Sequence, residues 1–402
     1  MKKFFFPFLV AVPLAIIHLT PFIVHAPGWT TTYADFRHLY AAGYMLRSGH
    51  AADLYNYEAM RTFQNQHLDK VDGGRVLPFN HLAYEALFFV PLSMLNYRAA
   101  FFVLDGLNFI LLVLCFRLLG ASFKNCALPR WLLYAFPFGF LPSVFAISDG
   151  QDSIILLTLA VIAFVLLENG GETEAGAVLA LTLFKFQFAI PIAVLYLLWK
   201  RWRFVSGFGI CGLVLLVLST LFVGPNNMIL YMRQLISMGP GLSTTSQADY
   251  GIYPDLMVNL RGFLYAVGSA HASQAALALI WAALSMAILL YAASRPKDFP
   301  LAVAVAVLVS YHCFLYDAVL LLIPLSALAA EESLLAVIAE SAVLIAPTIL
   351  FYAGCGFYLM VLPIVALCVM ITRKKFHLNW TLAGVKSRYG TANLERKVPM
   401  GH

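Results

Sequence analysis

Hydrophobic positions along this chain come in long unbroken runs, not in alternation. Runs of about 17 to 25 apolar residues are what a helix needs to cross the hydrocarbon layer of a bilayer. Such runs fall at 5–24, 98–119, 131–147, 152–168, 204–223, 272–293, 299–313, 316–330, 333–351 and 356–372. The period-two alternation that a membrane barrel requires is missing. One further run, "AGAVLALTLFKFQFAIPIAVLYLLW" at 175–199, carries a lysine at its middle and predicts two short helices broken near Lys185. Between the first two runs, 35–47 and 81–96 predict helices, separated by a polar linker containing "DKVDGGR". The pattern therefore predicts an all-α polytopic membrane protein with about twelve transmembrane helices.

Charge orients these elements. Only 11% of the 402 residues are charged against 61% hydrophobic, and the net charge of +6 is concentrated in clusters. These are Lys2 and Lys3; Arg117, Lys124 and Arg130; "KRWR" at 200–203; Arg295 and Lys297; and "RKK" at 373–375. Basic clusters beside spans mark the cytoplasmic side, whereas acidic residues such as Glu168, Glu172 and Glu174 carry little orienting weight. If 81–96 crossed the membrane, Arg117, Lys124 and Arg130 would fall outside. An interfacial position for it, with 98–119 crossing inward, returns them to the cytoplasm. The membrane domain is then expected over 1–372, with extracytoplasmic loops at 25–97 and 224–271 and a basic cytoplasmic tail at 373–402. No basic face continues through a folded soluble region, so nucleic acid is not an expected partner. Residues 1–26 resemble a signal peptide ending in "VHA", but the apolar stretch from Phe4 to Val24, interrupted only by His18, favours an uncleaved first span. The six cysteines show no CxxC spacing, which indicates neither a disulfide framework nor a zinc site; Cys313 and Cys355 both fall near the outer surface.

Under this topology the reactive side chains collect at the outer ends of spans. They are Asp35, Arg37 and His38; Asp149, Gln151 and Asp152; Lys185; Asn259 and Arg261; and His312, Tyr316 and Asp317. A carboxylate beside cations suits a general base next to an anion site. The carboxylate takes a proton from an attacking hydroxyl, and the cations neutralise a departing phosphate. This minimal arrangement matches glycosyl transfer from a lipid-phosphate sugar, and no cofactor is expected. Each residue also has a plainer reading. Asp35 follows Thr32 in a helix-start pattern, where a first-turn carboxylate favours the helix dipole. Arg37 and His38 suit a solvated helix face, and Lys185 suits snorkelling to the interface. Gln151 suits an ordinary turn, and Asn259 and Arg261 suit the orientation of an amphipathic helix. His312 and Asp317 in "YHCFLYD" cost more desolvation than a plain turn needs. Asp105 and Glu340, inside spans, suit interhelical hydrogen bonds.

The segments "DFRHLYAAGYMLRSG" with Leu54 and Tyr55, "EALFFVPLSML", "YRAAFFVLDGLN", "GQDSIILLTLA", "AGAVLALTLFKFQFAIPI", "LLWKRWRFVSGF", "YPDLMVNLRG" and "SYHCFLYDAVLLLIPL" follow one another in order over about residues 5–330. Together they resemble glycosyltransferase family 87, membrane enzymes of the type C glycosyltransferase fold. The resemblance implies a metal-independent, inverting α-mannosyltransferase that uses a polyprenyl-phosphate sugar and works on the extracytoplasmic side, here of a bacterial inner membrane. It implies two surface helices in the first loop, matching 35–47 and 81–96. It puts Asp35 in the position of the base. The cations Arg37, Lys185, Arg261 and His312 are then expected at the donor phosphate, and His38, Tyr40, Gln151, Asn259, Tyr316 and Asp317 at substrate. The expected partners are the polyprenyl-phosphate donor, a lipid or glycan acceptor and membrane lipids. The chain departs from many relatives at "PFNHLAYE", where Asn80 and His81 replace a proline pair, which bears on acceptor choice.

The competing reading is a lipid or solute transporter or flippase. Such proteins show related halves and discontinuous helices that meet at the midplane. No second copy of the first-loop pattern occurs here, and only one broken pair is legible. A nucleotide-sugar enzyme would want cytoplasmic carboxylates for a metal, and the chain has no DxD.

Overall fold

The computed structural model describes residues 5–29, 35–68, 76–120, 134–237, 253–328 and 333–373, and all regular structure among them is helical. The linker 69–75, Thr32, Lys124, Arg130 and the tail beyond 373 lie outside the described residues. In chain order the helices are α1 (Phe5–Trp29), α2 (Phe36–Arg47), α3 (Tyr57–His67), α4 (Ala86–Phe89), α5 (Tyr97–Leu119), α6 (Leu141–Ser148), α7 (Ser153–Glu168) and α8 (Glu172–Ala180). There follow α9 (Phe186–Leu198), α10 (Trp202–Val223), α11 (Pro225–Ser237), α12 (Leu260–Gly268) and α13 (Gln274–Ala293). The last four are α14 (Phe299–Val309), α15 (Leu322–Leu328), α16 (Leu334–Tyr352) and α17 (Val361–Arg373).

Among the described residues, α5, α10, α13 and α16 are each long and apolar enough to cross a membrane, and the bent pair α8 and α9 makes a fifth span if counted as one. Their outward faces are rich in exposed Leu, Ile, Val and Phe, as expected of an integral membrane protein. Two of the other expected spans are more broken than the sequence suggests. The run 131–147 holds a 3₁₀ turn, Phe136–Gly139, before α6, because Pro137 and Pro142 each remove a backbone donor. The run 316–330 opens as a seven-residue 3₁₀ segment, Leu315–Leu321. The helix expected over 81–96 is instead three short pieces, Ala83–Glu85, α4 and Leu92–Met94, with Pro91 before the last. In its place α3 forms within the expected linker, started by Asn56, whose side chain accepts from the backbone N–H of Glu58 at 3.0 Å and Ala59 at 3.2 Å.

Polar side chains inside the bundle tie helices together. His18 of α1 bonds the Thr348 hydroxyl of α16 at 3.0 Å and the Phe138 carbonyl at 3.2 Å, so the one interruption in the first apolar run is an interhelical clamp. The break in the α8–α9 pair, bent by 64°, falls where the sequence expects it. Arg201, just past α9, pairs with Glu172 at the start of α8, so the two ends of the pair return to one place, as a hairpin requires. The break exposes backbone groups that cannot be left unpaired in an apolar interior. Tyr84 satisfies two of them. Its hydroxyl donates to the Leu181 carbonyl at 3.0 Å and accepts from the Phe184 N–H at 2.8 Å, while its own N–H donates to the Ser219 hydroxyl of α10 at 3.1 Å.

Helices α8 and α10 approach closely through glycines. A Cβ on Gly176 would stand 2.0 Å from the Phe204 carbonyl oxygen, and one on Gly207 would stand 2.0 Å from that of Thr173. Gly176→Leu is therefore expected to destabilise the protein by about 1–3 kcal/mol or more through overpacking. Gly106→Ala, on α5 with open space around it, is expected to be neutral or mildly stabilising. Thermal unfolding of the two variants in detergent checks the contrast, and equal melting temperatures would contradict the close packing.

Candidate functional site

The site begins with the turn that links α6 to α7. Gly150 there has φ +60, and a Cβ on it would lie 2.7 Å from Cβ of Phe36, so glycine is required both by backbone and by space. That close approach docks the start of α2 onto the turn, with the Phe36 N–H donating to the Asp149 carbonyl at 3.3 Å. On the other side, Asn108 of α5 donates its amide to the Gln151 carbonyl at 3.1 Å. Gln151 in turn donates its own side-chain amide to the Asp35 carboxylate. Asp35 occupies the N-cap position of α2 yet makes no side-chain cap hydrogen bond. Its carboxylate is thus held by Gln151, which removes the plain capping reading. Burial, then the nearby Asp35 charge, pushes the Asp149 carboxyl up to about 8.

Behind this turn lies a buried ion cluster. The Lys185 ammonium, at the α8–α9 break, sits 2.6 Å from Asp317 Oδ1, 2.7 Å from Asp152 Oδ1 and 2.7 Å from the Ser153 hydroxyl. Ser153 also donates to Asp317 Oδ1 at 2.9 Å, and Asp317 Oδ2 accepts from the Phe314 N–H at 3.3 Å. The ammonium also donates to Gln151 Oε1 at 3.5 Å, so its three N–H donors are fully engaged by neighbouring acceptors. The Tyr316 ring lies below the ammonium at 5.1 Å. Three distant stretches of chain are thereby fixed to one another: the turn after α6, the helix break and the segment after α14.

Asp152 carries a second arm. His81 Nδ1 lies 2.5 Å from Glu85 Oε2 and 3.4 Å from Asp152 Oδ2. Glu85 is fully buried, and burial, followed by the charge of Asp152, raises its carboxyl well above the ordinary value. Burial thus favours the neutral form of Glu85 beside the Asp152 carboxylate. His81, Glu85 and Asp152 form a group among the described residues with three ligand-type atoms within 4.8 Å, the composition that could hold a divalent cation. Here Asp152 is already compensated by the Lys185 ammonium, and the His81–Glu85 spacing is that of a hydrogen bond.

Asp35, His81, Asp149, Gln151, Lys185 and Asp317 border a cavity of about 390 Å³. Of the residues expected at the site, Asp35, Arg37, His38, Gln151, Lys185, His312, Tyr316 and Asp317 line it. Three others stand outside its lining. Tyr40 turns into the first-loop core, where its hydroxyl donates to the Leu95 carbonyl at 2.8 Å and its ring meets Phe36 and Tyr97. Asn259 caps α12, accepting from the Gly262 N–H at 3.1 Å and donating to Ser310. Arg261 lies one layer back. It donates to the Tyr311 carbonyl at 2.9 Å with its guanidinium 4.1 Å from that ring, and Tyr311 itself faces the cavity. Sequence reasoning gave no role to Glu85 or Tyr84 and treated His81 only as a departure. The signal was present in the i,i+4 spacing of His81 and Glu85. Cys313, buried, and Cys355, exposed, are both free thiols.

Removing the Lys185 charge leaves two buried carboxylates without their cation. Lys185→Met is expected to cost about 3–5 kcal/mol, and Asp152→Asn with Asp317→Asn in the same chain is expected to recover much of it. Melting temperatures of the single and triple variants check this; a harmless Lys185→Met would contradict the cluster.

The sequence profile of glycosyltransferase family 87 matches residues 84–315. No curated protein and no solved structure matches the chain. The matched span runs from Tyr84 through the Gln151 turn, the Lys185 break and His312, and covers more than half of the chain. The protein belongs to glycosyltransferase family 87 and is a membrane glycosyltransferase.

Proposed function

We propose that this glycosyltransferase moves a sugar, mannose by family resemblance, from a polyprenyl-phosphate donor to an acceptor hydroxyl, with inversion at the anomeric carbon. The observation that carries this reading is a carboxylate, Asp35, on a cavity that also holds the Arg37 side chain and a wall of hydrogen-bonding residues. Asp35 takes the proton of the acceptor hydroxyl as its oxygen attacks the anomeric carbon from the face opposite the phosphate. The bond from that carbon to the phosphate oxygen breaks, and polyprenyl phosphate leaves as an anion. The leaving group needs no proton, which suits a site with one base and nearby cations. Gln151 orients the base, and fixing both substrates at one surface supplies much of the rate.

The cationic roles divide unevenly. Arg37 borders the cavity and is the guanidinium we assign to the phosphate. Lys185 is engaged by Asp152, Asp317, Ser153 and Gln151, so it shapes the wall, and Arg261 acts through Tyr311. His312 and His38 contribute polar ring edges. A groove of about 950 Å³ between α16 and α17, lined by apolar side chains apart from Ser341, offers hydrocarbon a path. Phe357, shortly before α17, borders the cavity, which suits a lipid-linked donor entering from the bilayer.

In this reading the chain has twelve spans, an integral location in a bacterial inner membrane and its site on the extracytoplasmic side. The first-loop elements α2 to α4 lie in the interface. The family assignment speaks for the enzyme over a transporter.

Asp35→Asn keeps the size of the side chain and the contact with Gln151 but removes the base. It is expected to lower transfer from labelled polyprenyl-phosphate mannose by about 10²- to 10⁴-fold with an unchanged melting temperature. Full activity in a folded Asp35→Asn protein would refute the assignment, and no turnover by the native protein with any polyprenyl-phosphate sugar would refute the donor class.

A further inference from the structure

The first-loop network contains a histidine whose two ring nitrogens are in different situations. Nδ1 of His81 faces two acids, Glu85 at 2.5 Å and Asp152 at 3.4 Å. Asp152 is bound by the Lys185 ammonium at 2.7 Å and, as a carboxylate, can only accept. Two acid oxygens thus stand beside Nδ1, one of them on the lysine-bound Asp152 carboxylate, and this placement favours the ring proton at Nδ1. Nε2 is then left with its lone pair. His81 borders the cavity and retains 13% side-chain exposure there. A carboxyl group that fixes the tautomer of a histidine through Nδ1 is the arrangement by which proteins present Nε2 for use elsewhere.

We propose that His81, fixed through Nδ1 on Glu85, presents Nε2 to the cavity as the hydrogen-bond acceptor for a hydroxyl of the bound saccharide, with Glu85 as its positioning residue. The inference rests on the glycosyl-transfer reading and extends it to a saccharide subsite on the wall formed by the first loop. The ring is suited to this. Burial, ahead of the opposing charge of Asp152, lowers His81 to about 4, so it is neutral and able to accept throughout the physiological range. The ring of His38 stands edge-on 5.6 Å away and that of Phe79 at 5.7 Å, which holds the imidazole plane. The hydroxyl belongs either to the transferred sugar or to a sugar acceptor. The chemistry is the same, and the two are separated by experiment.

The test uses the full chain in lipid nanodiscs, with affinities measured for polyprenyl-phosphate mannose and for bare polyprenyl phosphate. His81→Phe is expected to weaken the sugar-bearing lipid roughly tenfold, the scale of one hydrogen bond with a desolvated partner, and to leave the bare lipid unchanged. His81→Gln retains an accepting oxygen and is expected to keep most of the affinity, which separates the effect from misfolding. Glu85→Gln supplies the same acceptor to Nδ1–H and the same donor to Asp152 as the protonated acid, and is expected to bind as the native protein does. Glu85→Leu is expected to lose as much as His81→Phe, with no further loss when the two are combined. If the sugar-lipid affinity of His81→Phe stays native while KM for methyl α-mannoside as acceptor rises, the hydroxyl is the acceptor's. Native affinity and native KM in His81→Phe, or an equal loss for both lipids, overturns the proposal. Failure of the native protein to bind either lipid overturns the donor reading and this inference with it, and is distinct from a defect confined to the variants.

Discussion

One buried ammonium organises the functional end of this molecule. Lys185 stands at a break between two apolar helix arms, where its charge would be unaffordable alone, and two carboxylates from distant stretches of chain compensate it. Asp152 arrives from the turn after α6 and Asp317 from the 3₁₀ segment after α14. Neither carboxylate could be buried without the lysine, and the lysine could not be buried without them. The mutual requirement locks the turn, the break and the late segment into one wall, and the cavity borders that wall. Cavity shape is thus a consequence of charge balance, with apolar packing filling in behind it.

Much of this was legible in the sequence, and the missing parts have physical reasons. Helices of the length and composition of α5, α10, α13 and α16 are written directly in their apolar runs, and so is the break at Lys185. The positions of Asp35, Gln151, Lys185, His312 and Asp317 at the ends of runs point to a shared location, because an apolar bundle leaves such residues few places to go, and all five line one cavity. Pairing was not legible. A lysine in an apolar run reads the same whether it awaits a phosphate or is already saturated by aspartates; only the fold supplies those partners. Helix α3 was hidden by its polar composition, and 81–96 looked helical because Pro91 and the 3₁₀ turns around it leave the apolar pattern intact. Tyr40 and Asn259 lie close in sequence to residues that line the cavity, yet helix and turn geometry turns them toward Leu95 and Ser310.

The same logic accounts for where chemistry can occur. Asp35, His81, Gln151, Lys185 and His312 all sit at helix starts, breaks or turns. Regular helix in an apolar surrounding satisfies its own backbone and offers substrates nothing. Where the helix stops, polar groups must be brought in to complete the hydrogen bonding, and those groups are what a polar ligand can meet. Gly150, Asn108 and Tyr84 are part of this provision, and none of them needs to touch substrate to matter.

Tyr84 carries a mechanical corollary. It belongs to the first-loop segment, immediately before Glu85, yet its hydroxyl bridges Leu181 and Phe184 on either side of the break. Displacement of that segment would pull on both sides of the break at once, since a single hydroxyl ties them. The first loop and the lysine-bearing hinge are thus mechanically joined.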